Sequence, residues 1–282
     1  MTDYVYHHYV PKFYLRGWCI DNQITRFQWL NDQLEVRKVG VKRNAGMSHL
    51  YSLRHLPSDP QIIEREFMGP RVDDPAAKAY QHLCSGTQPL SDSKRADWTR
   101  FLMSLRIRVP DVIERLRSDG ETKLRAALAS DPEEYEALRS KDDPASLTEY
   151  LEKTQPGLIA DFGIRMLPGL HSHQEIFKKV YEMYWWTHNF QGASVSLLTS
   201  DRPLMIVPSL DEPTCIMALP LSPTLAFFAT HQLKVAKKIT SIPLSRLARA
   251  VNQETVRLAN QFVFSQNQNQ EIFIRRHFAK PN

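Results

Sequence analysis

Four residues carry the chemistry this chain could perform. His8 stands before Tyr-Val-Pro, where the residue preceding proline is held extended. An imidazole there can act as a general base or bind a metal near neutral pH. It can equally hydrogen-bond backbone groups and lock the N-terminal segment. Asp201 follows a β-rich run at 193–199 and comes two residues before Pro203. Its carboxylate can bind a metal in a cleft, or cap the turn through an Asx bond. Arg106 and Arg108 lie near Pro110 on an amphipathic helix, where a guanidinium can clamp a carboxylate or phosphate, or form an ordinary surface ion pair. Two functional readings follow. In the first, the chain is a hydrolase acting on nucleic acid or another phosphodiester. His8 is then base or ligand, Asp201 metal ligand, and Arg106 or Arg108 the clamp on developing charge. In the second, it is a non-catalytic binding or regulatory module whose polar residues hold the fold together.

Other combinations carry less. His171-Ser-His173 has ligand spacing, but it opens a helix on which the two rings diverge. Glu64 and Glu66 point about 200° apart on a helix and cannot share a site. His7 reads as an exposed neighbour of His8. There is no Walker A, GxGxxG, GxSxG or HExxH motif, which disfavours P-loop, dinucleotide-binding, common esterase and zinc-protease chemistry. No motif names a cofactor or a metal.

Charge points to a partner. Of the 282 residues, those from 224 to 282 hold nine basic side chains against Glu254 and Glu271, a surplus of +7 in a chain whose net charge is +5. A second basic cluster is Arg37, Lys38, Lys42 and Arg43. Such surfaces attract phosphate without sequence specificity, so nucleic acid is the expected partner of the C-terminal region, unless the run is only a solvated face. Three widely spaced cysteines and a first four residues without signal-peptide character predict a cytosolic protein. No apolar run approaches the ~20 residues of a membrane span.

The elements that must position these groups follow from local patterns. Residues 23–29 and 34–41 read as strands joined by Asn31-Asp32, a hairpin signal. Residues 60–68 read as a short helix. Trp98, Phe101, Leu102 and Leu105 form one face of a helix over 92–109, which Pro110 ends. A following segment is expected to stop at Gly120. Asp131-Pro132 and Asp143-Pro144 open two short helices. Ser172 and Glu175 are spaced as a capping box for a helix over 171–184. Residues 193–199, 204–207, 214–219 and 224–229 read as strands. Asn252 is read as the N-cap of a helix to about 260, with strands at 261–265 and 271–275 after it. Without any linker, this predicts a single α+β domain over 1–282, its helical middle flanked by N-terminal and C-terminal-half strands that share one sheet.

The run His7-His8-Tyr9-Val10-Pro11-Lys12-Phe13-Tyr14-Leu15-Arg16-Gly17-Trp18 resembles the opening of an uncharacterised bacterial family catalogued as domain of unknown function 4238. Arg106-Ile107-Arg108-Val109-Pro110, Leu198-Thr199-Ser200-Asp201-Arg202-Pro203, Leu219-Pro220-Leu221-Ser222-Pro223 and residues 252–265 resemble its later landmarks in order. Arg202 stands where the family often has Asn. The resemblance implies one full-length architecture and carries over no catalytic residue. Tyr9, Phe13, Tyr14 and Leu15 are expected to anchor the N-terminal segment in the core.

Overall fold

The computed structural model describes residues 5–56, 59–86, 90–130, 132–171 and 173–280. The chain opens with β1 (Tyr6–His8) and α1 (Lys12–Leu15), a short helix begun by Pro11 in the extended region. β2 (Gln23–Leu30) and β3 (Gln33–Gly40) form the expected hairpin, pairing Leu30 with Gln33. Asn31 and Asp32 both have positive φ, 46° and 64°, the turn geometry that matches strand twist. After β4 (Gly46–Ser48), residues Ile63–Asp73 form a π-helical segment where a short helix is expected. It leads into α2 (Asp74–Cys84).

α3 (Asp92–Ile107) buries the four predicted residues of its apolar face. Val109, extended at ψ 148°, breaks it, and Pro110 begins α4 (Pro110–Leu128). α4 does not stop at Gly120. A Cβ there would lie 2.5 Å from the Gly163 Cα, so the missing side chain serves close helix packing rather than chain reversal. α5 (Pro132–Leu138) follows as expected, though its presumed cap Asp131 lies outside the described residues. α6 (Leu147–Thr154) begins later than the Asp143-Pro144 signal. Ser146 is its N-cap, accepting from the Glu149 N–H at 3.2 Å, while Asp143 accepts from Ser140 N–H instead.

α7 (Phe162–Arg165) and α8 (Leu167–His171) precede α9 (Gln174–Tyr181). Ser172 of the expected capping box is likewise outside the described residues. Then come β5 (Tyr184–Asn189), β6 (Thr199–Ser200), β7 (Met205–Val207), β8 (Ile216–Ser222) and β9 (Leu225–Thr230). α10 (Leu233–Thr240) and α11 (Leu244–Leu258) follow, then β10 (Val263–Ser265) and α12 (Glu271–His277). Asn252 is thus inside α11, not its cap, and 271–277 is a helix, not a strand.

Contacts group the chain into two compact units, and it crosses between them at 7/8, 46/47, 71/72, 106/107 and 173/174. The first unit is mainly helical. α4 packs on α7 through Gly120 and Gly163. Beside them Arg117 donates to the carbonyls of Leu50 and Ser52, and Asp161 accepts from the N–H groups of Arg54 and His55. The two charges, 3.6 Å apart and almost fully buried, clamp the 50–55 loop.

The second unit holds two antiparallel four-stranded sheets. The order β3-β2-β10-β6 joins the N-terminal hairpin to C-terminal-half strands, as expected for an α+β fold with a shared sheet. The strands from 205 to 230 do not join it. They pair with β5 in a second sheet, β5-β9-β8-β7. α11 spans both cores. Leu247, Ala248 and Val251 pack with Phe228 and Met205 on the second sheet. Val256 packs with Phe27, Val263 and Ile274 on the first. Adjacent residues of β9 serve opposite faces: Phe227 meets Trp98 and Trp185, whereas Phe228 stacks on Trp186. Among the described residues, no helix is long and apolar enough to cross a membrane.

Candidate anion-binding pocket

Four of the segments that resemble family landmarks, residues 8–18, 198–203, 219–223 and 252–265, lie in the second unit, and the contacts among them are structural. Tyr14 is fully buried and donates to the Pro220 carbonyl at 2.7 Å. The Thr199 hydroxyl lies 2.7 Å from the same phenol oxygen. Burial holds the phenol far above its ordinary pKa, so it remains a donor. The Trp18 indole N–H donates to Leu197 O at 3.0 Å. Gly17 is required by proximity, since a Cβ would sit 2.6 Å from Leu221 O and from the Tyr80 hydroxyl. Asn252 uses its whole amide: Oδ1 accepts from Leu198 N–H, and Nδ2 donates to Ser196 O and Gln270 Oε1. An N-cap would leave such a side chain at a helix end, whereas here it cross-links α11 to residues 196–198, which lead into β6 and, unlike the expected strand over 193–199, form no strand of their own among the described residues.

The four residues singled out for chemistry have different settings. His8 is half-buried on β1, with Nε2 3.0 Å from the Lys42 carbonyl. A carbonyl only accepts, so this nitrogen carries the proton. Asp201 is 2 % exposed and accepts from Asn260 and Gln261 N–H at 2.9 and 2.7 Å. Burial pushes its carboxyl up to about 6, against the pull of those bonds and of Arg202. Arg106 is exposed and belongs to the second unit. Arg108 is fully buried in the first, where its carbonyl accepts from the Tyr51 hydroxyl. No hydrogen bond or ion pair joins His8 to Asp201 among the described residues.

His7, read from sequence as exposed, is fully buried. Its Nδ1 accepts from Tyr51 N–H at 2.8 Å, its Nε2 lies 2.6 Å from Gln61 Oε1, and its ring stacks on Tyr51. The first unit also buries His171, whose Nδ1 donates to Leu167 O while burial lowers its pKa to about 4. Among the described residues, no group of three or more His, Cys, Asp or Glu is placed to hold a metal.

A different group of residues lines a concave surface. A pocket of about 310 Å³ in the second unit is bounded by Val195, Arg249, Asn252, Gln270, Phe273 and Arg276, among others. Arg249 extends from α11 and donates to Ser194 Oγ at 3.3 Å. Arg276 comes from α12 and, among the described residues, makes no hydrogen bond or ion pair. The C-terminal acids are committed elsewhere: Glu254 pairs with Arg257 and Glu271 with Arg275, each one helical turn away. Lys280 pairs with Asp32. Of the nine C-terminal cations, that leaves Lys234, Lys237, Lys238, Arg246, Arg249 and Arg276 facing no acid. Lys234, Lys237 and Lys238 share one face of α10, and Arg246 and Arg249 share one of α11. The charge count finds this region, but not Phe273 or the choice among arginines. The i to i+3 and i+4 spacing of the acids was the available signal for the latter.

No curated protein and no solved structure matches the chain. The family model described as "Protein of unknown function (DUF4238)" matches residues 6–269, and the chain belongs to that family.

Proposed function

We propose that this protein is a non-catalytic binding module that takes nucleic acid on its basic C-terminal region. The observation that carries the reading is the set of six C-terminal cations facing no acid, two of which, Arg249 and Arg276, line one pocket. Unneutralised guanidinium groups on a concave surface suit phosphate, by charge and by bidentate geometry. We place the protein in the bacterial cytosol, a reading supported by three free cysteines. The hydrolase alternative draws on the same cations. Against it weigh the backbone partners of His8 and Asp201 and the burial of Arg108, which occupy the groups that reaction would use.

The test is a titration of the full chain with labelled DNA and RNA at low and raised ionic strength. Binding at low salt that weakens steeply as salt rises is the expected result. No binding at low salt, or binding indifferent to salt, overturns the reading. Cleavage of the labelled strand would favour the hydrolase instead.

A further inference from the structure

We infer that the pocket between α11 and α12 holds an unpaired base of a single strand, so that this module binds single-stranded nucleic acid in preference to duplex. This rests on the reading above and names the form of nucleic acid involved. The pocket joins two unlike surfaces. Arg249 and Arg276 supply positive charge, and Phe273, Ile272 and Val195 supply an apolar wall. Phe273 is half-buried, packed against the first sheet's core, with its ring 4.6 Å from that of His277. Ile272 is 79 % exposed, the most exposed large apolar side chain of the second unit among the described residues. Two of the three amides that line it are committed to the protein: the Asn252 Nδ2 donates twice, and Gln270 both accepts from it and donates to Ser196 O, while the third is that of Asn269. A ligand here therefore gains charge and stacking chiefly, with base-edge contact confined to the Asn269 amide.

That combination suits a nucleotide whose base is out of any duplex. A paired base keeps its faces against its neighbours and cannot enter a cavity of about 310 Å³, whereas an unstacked base can lie on an aromatic ring with its phosphate on a guanidinium. The exposed lysines of α10 and Arg246 of α11 offer further cations for the rest of the strand. Stacking is tolerant of sequence, because every base has a π-face, so the preference is for form and not for a particular sequence.

The experiment compares binding of short single-stranded DNA and RNA with that of hairpin duplexes of each. It uses the wild-type full chain, Phe273→Leu and Phe273→Tyr, with thermal melts to establish folding. Leu keeps apolar bulk without a ring, and Tyr restores the ring. The expected result is single-strand preference in the wild type, a roughly 5- to 150-fold loss of single-strand affinity in Phe273→Leu, and recovery in Phe273→Tyr. The salt dependence should be the same in all three. Equal binding of single strand and duplex, or a Phe273→Leu variant with unchanged single-strand affinity, overturns the inference and leaves the nucleic-acid reading standing. Absence of binding by either form at low salt overturns both.

Discussion

Tyr14→Phe removes one oxygen atom and asks whether the N-terminal motif is a structural lock. The phenol donates to Pro220 O and lies at hydrogen-bond distance from Thr199 Oγ1, each at 2.7 Å. All three residues are buried, and Tyr14 and Thr199 are fully so. Phenylalanine keeps the ring, and with it the contacts to Trp18 and Tyr80 at 5.3 and 6.3 Å. What changes is that a carbonyl and a hydroxyl lose a partner where water does not reach. An orphaned buried group costs about 1–3 kcal/mol, and the hydroxyl can rotate to recover part of its share, so the pair should cost roughly 2–4 kcal/mol. At about 2–4 °C per kcal/mol for a domain this large, Tm should fall by roughly 4–16 °C. Thermal unfolding followed by circular dichroism reads this directly. A melting point within a degree of wild type would show that the hydroxyl is not held as described, and would reopen a chemical role for the motif.

Gly120→Ala should be destabilising although alanine is the better helix former by about 1 kcal/mol, because its Cβ meets Gly163 backbone; an unchanged or raised Tm would refute the close helix crossing. His8→Ala should cost only about 0.5–1.5 kcal/mol for the bond to Lys42 O and leave nucleic-acid binding as in wild type; lost binding with unchanged stability would contradict the structural role. Burial holds the folded pKa of His171 near 4, below the ordinary 6.5, so the unfolded chain takes up the proton first. The stability this histidine contributes is present above about pH 6.5 and is lost as pH falls toward 4, on the order of 3 kcal/mol. Urea unfolding at pH 7 and 4.5 should show a fall that His171→Gln lessens, and an equal fall in that variant would exclude His171 as the cause.

Local patterns located what is decided locally. Asn31-Asp32 predicts a turn because those two residue types tolerate positive φ, and both adopt it. Trp98, Phe101, Leu102 and Leu105 predict a buried helical stripe because their spacing alone puts them on one face. Gly120 misleads because glycine ends helices as often as it lets them approach, and the partner, Gly163, is far away in sequence. Asn252 misleads for a similar reason: capping preference is local, whereas its partners at 196, 198 and 270 come from the tertiary fold. Residues 271–275 look like a strand by composition. Yet Ile272 is 79 % exposed and Ile274 fully buried, so they do not share a face as alternate strand residues would. The Glu271–Arg275 pair, at 2.8 Å, is the helical spacing that outweighs the β-rich run. For the pocket, the surplus of charge was legible, and its resolution into paired and unpaired arginines needed the helices that set the pairing.

The central claim is that unpaired cations bind phosphate and paired ones do not. It is tested most directly by the salt dependence of single-strand affinity in two double variants. Arg249→Ala with Arg276→Ala removes the pocket arginines, and Arg257→Ala with Arg275→Ala removes two that already face Glu254 and Glu271. Each lost phosphate contact lowers the slope of log affinity against log salt by about 0.7 for a single strand. The account predicts a slope shallower by roughly 1.4 in the first variant and close to wild type in the second. Equal slopes in the two variants, or a larger loss in the second, would contradict it.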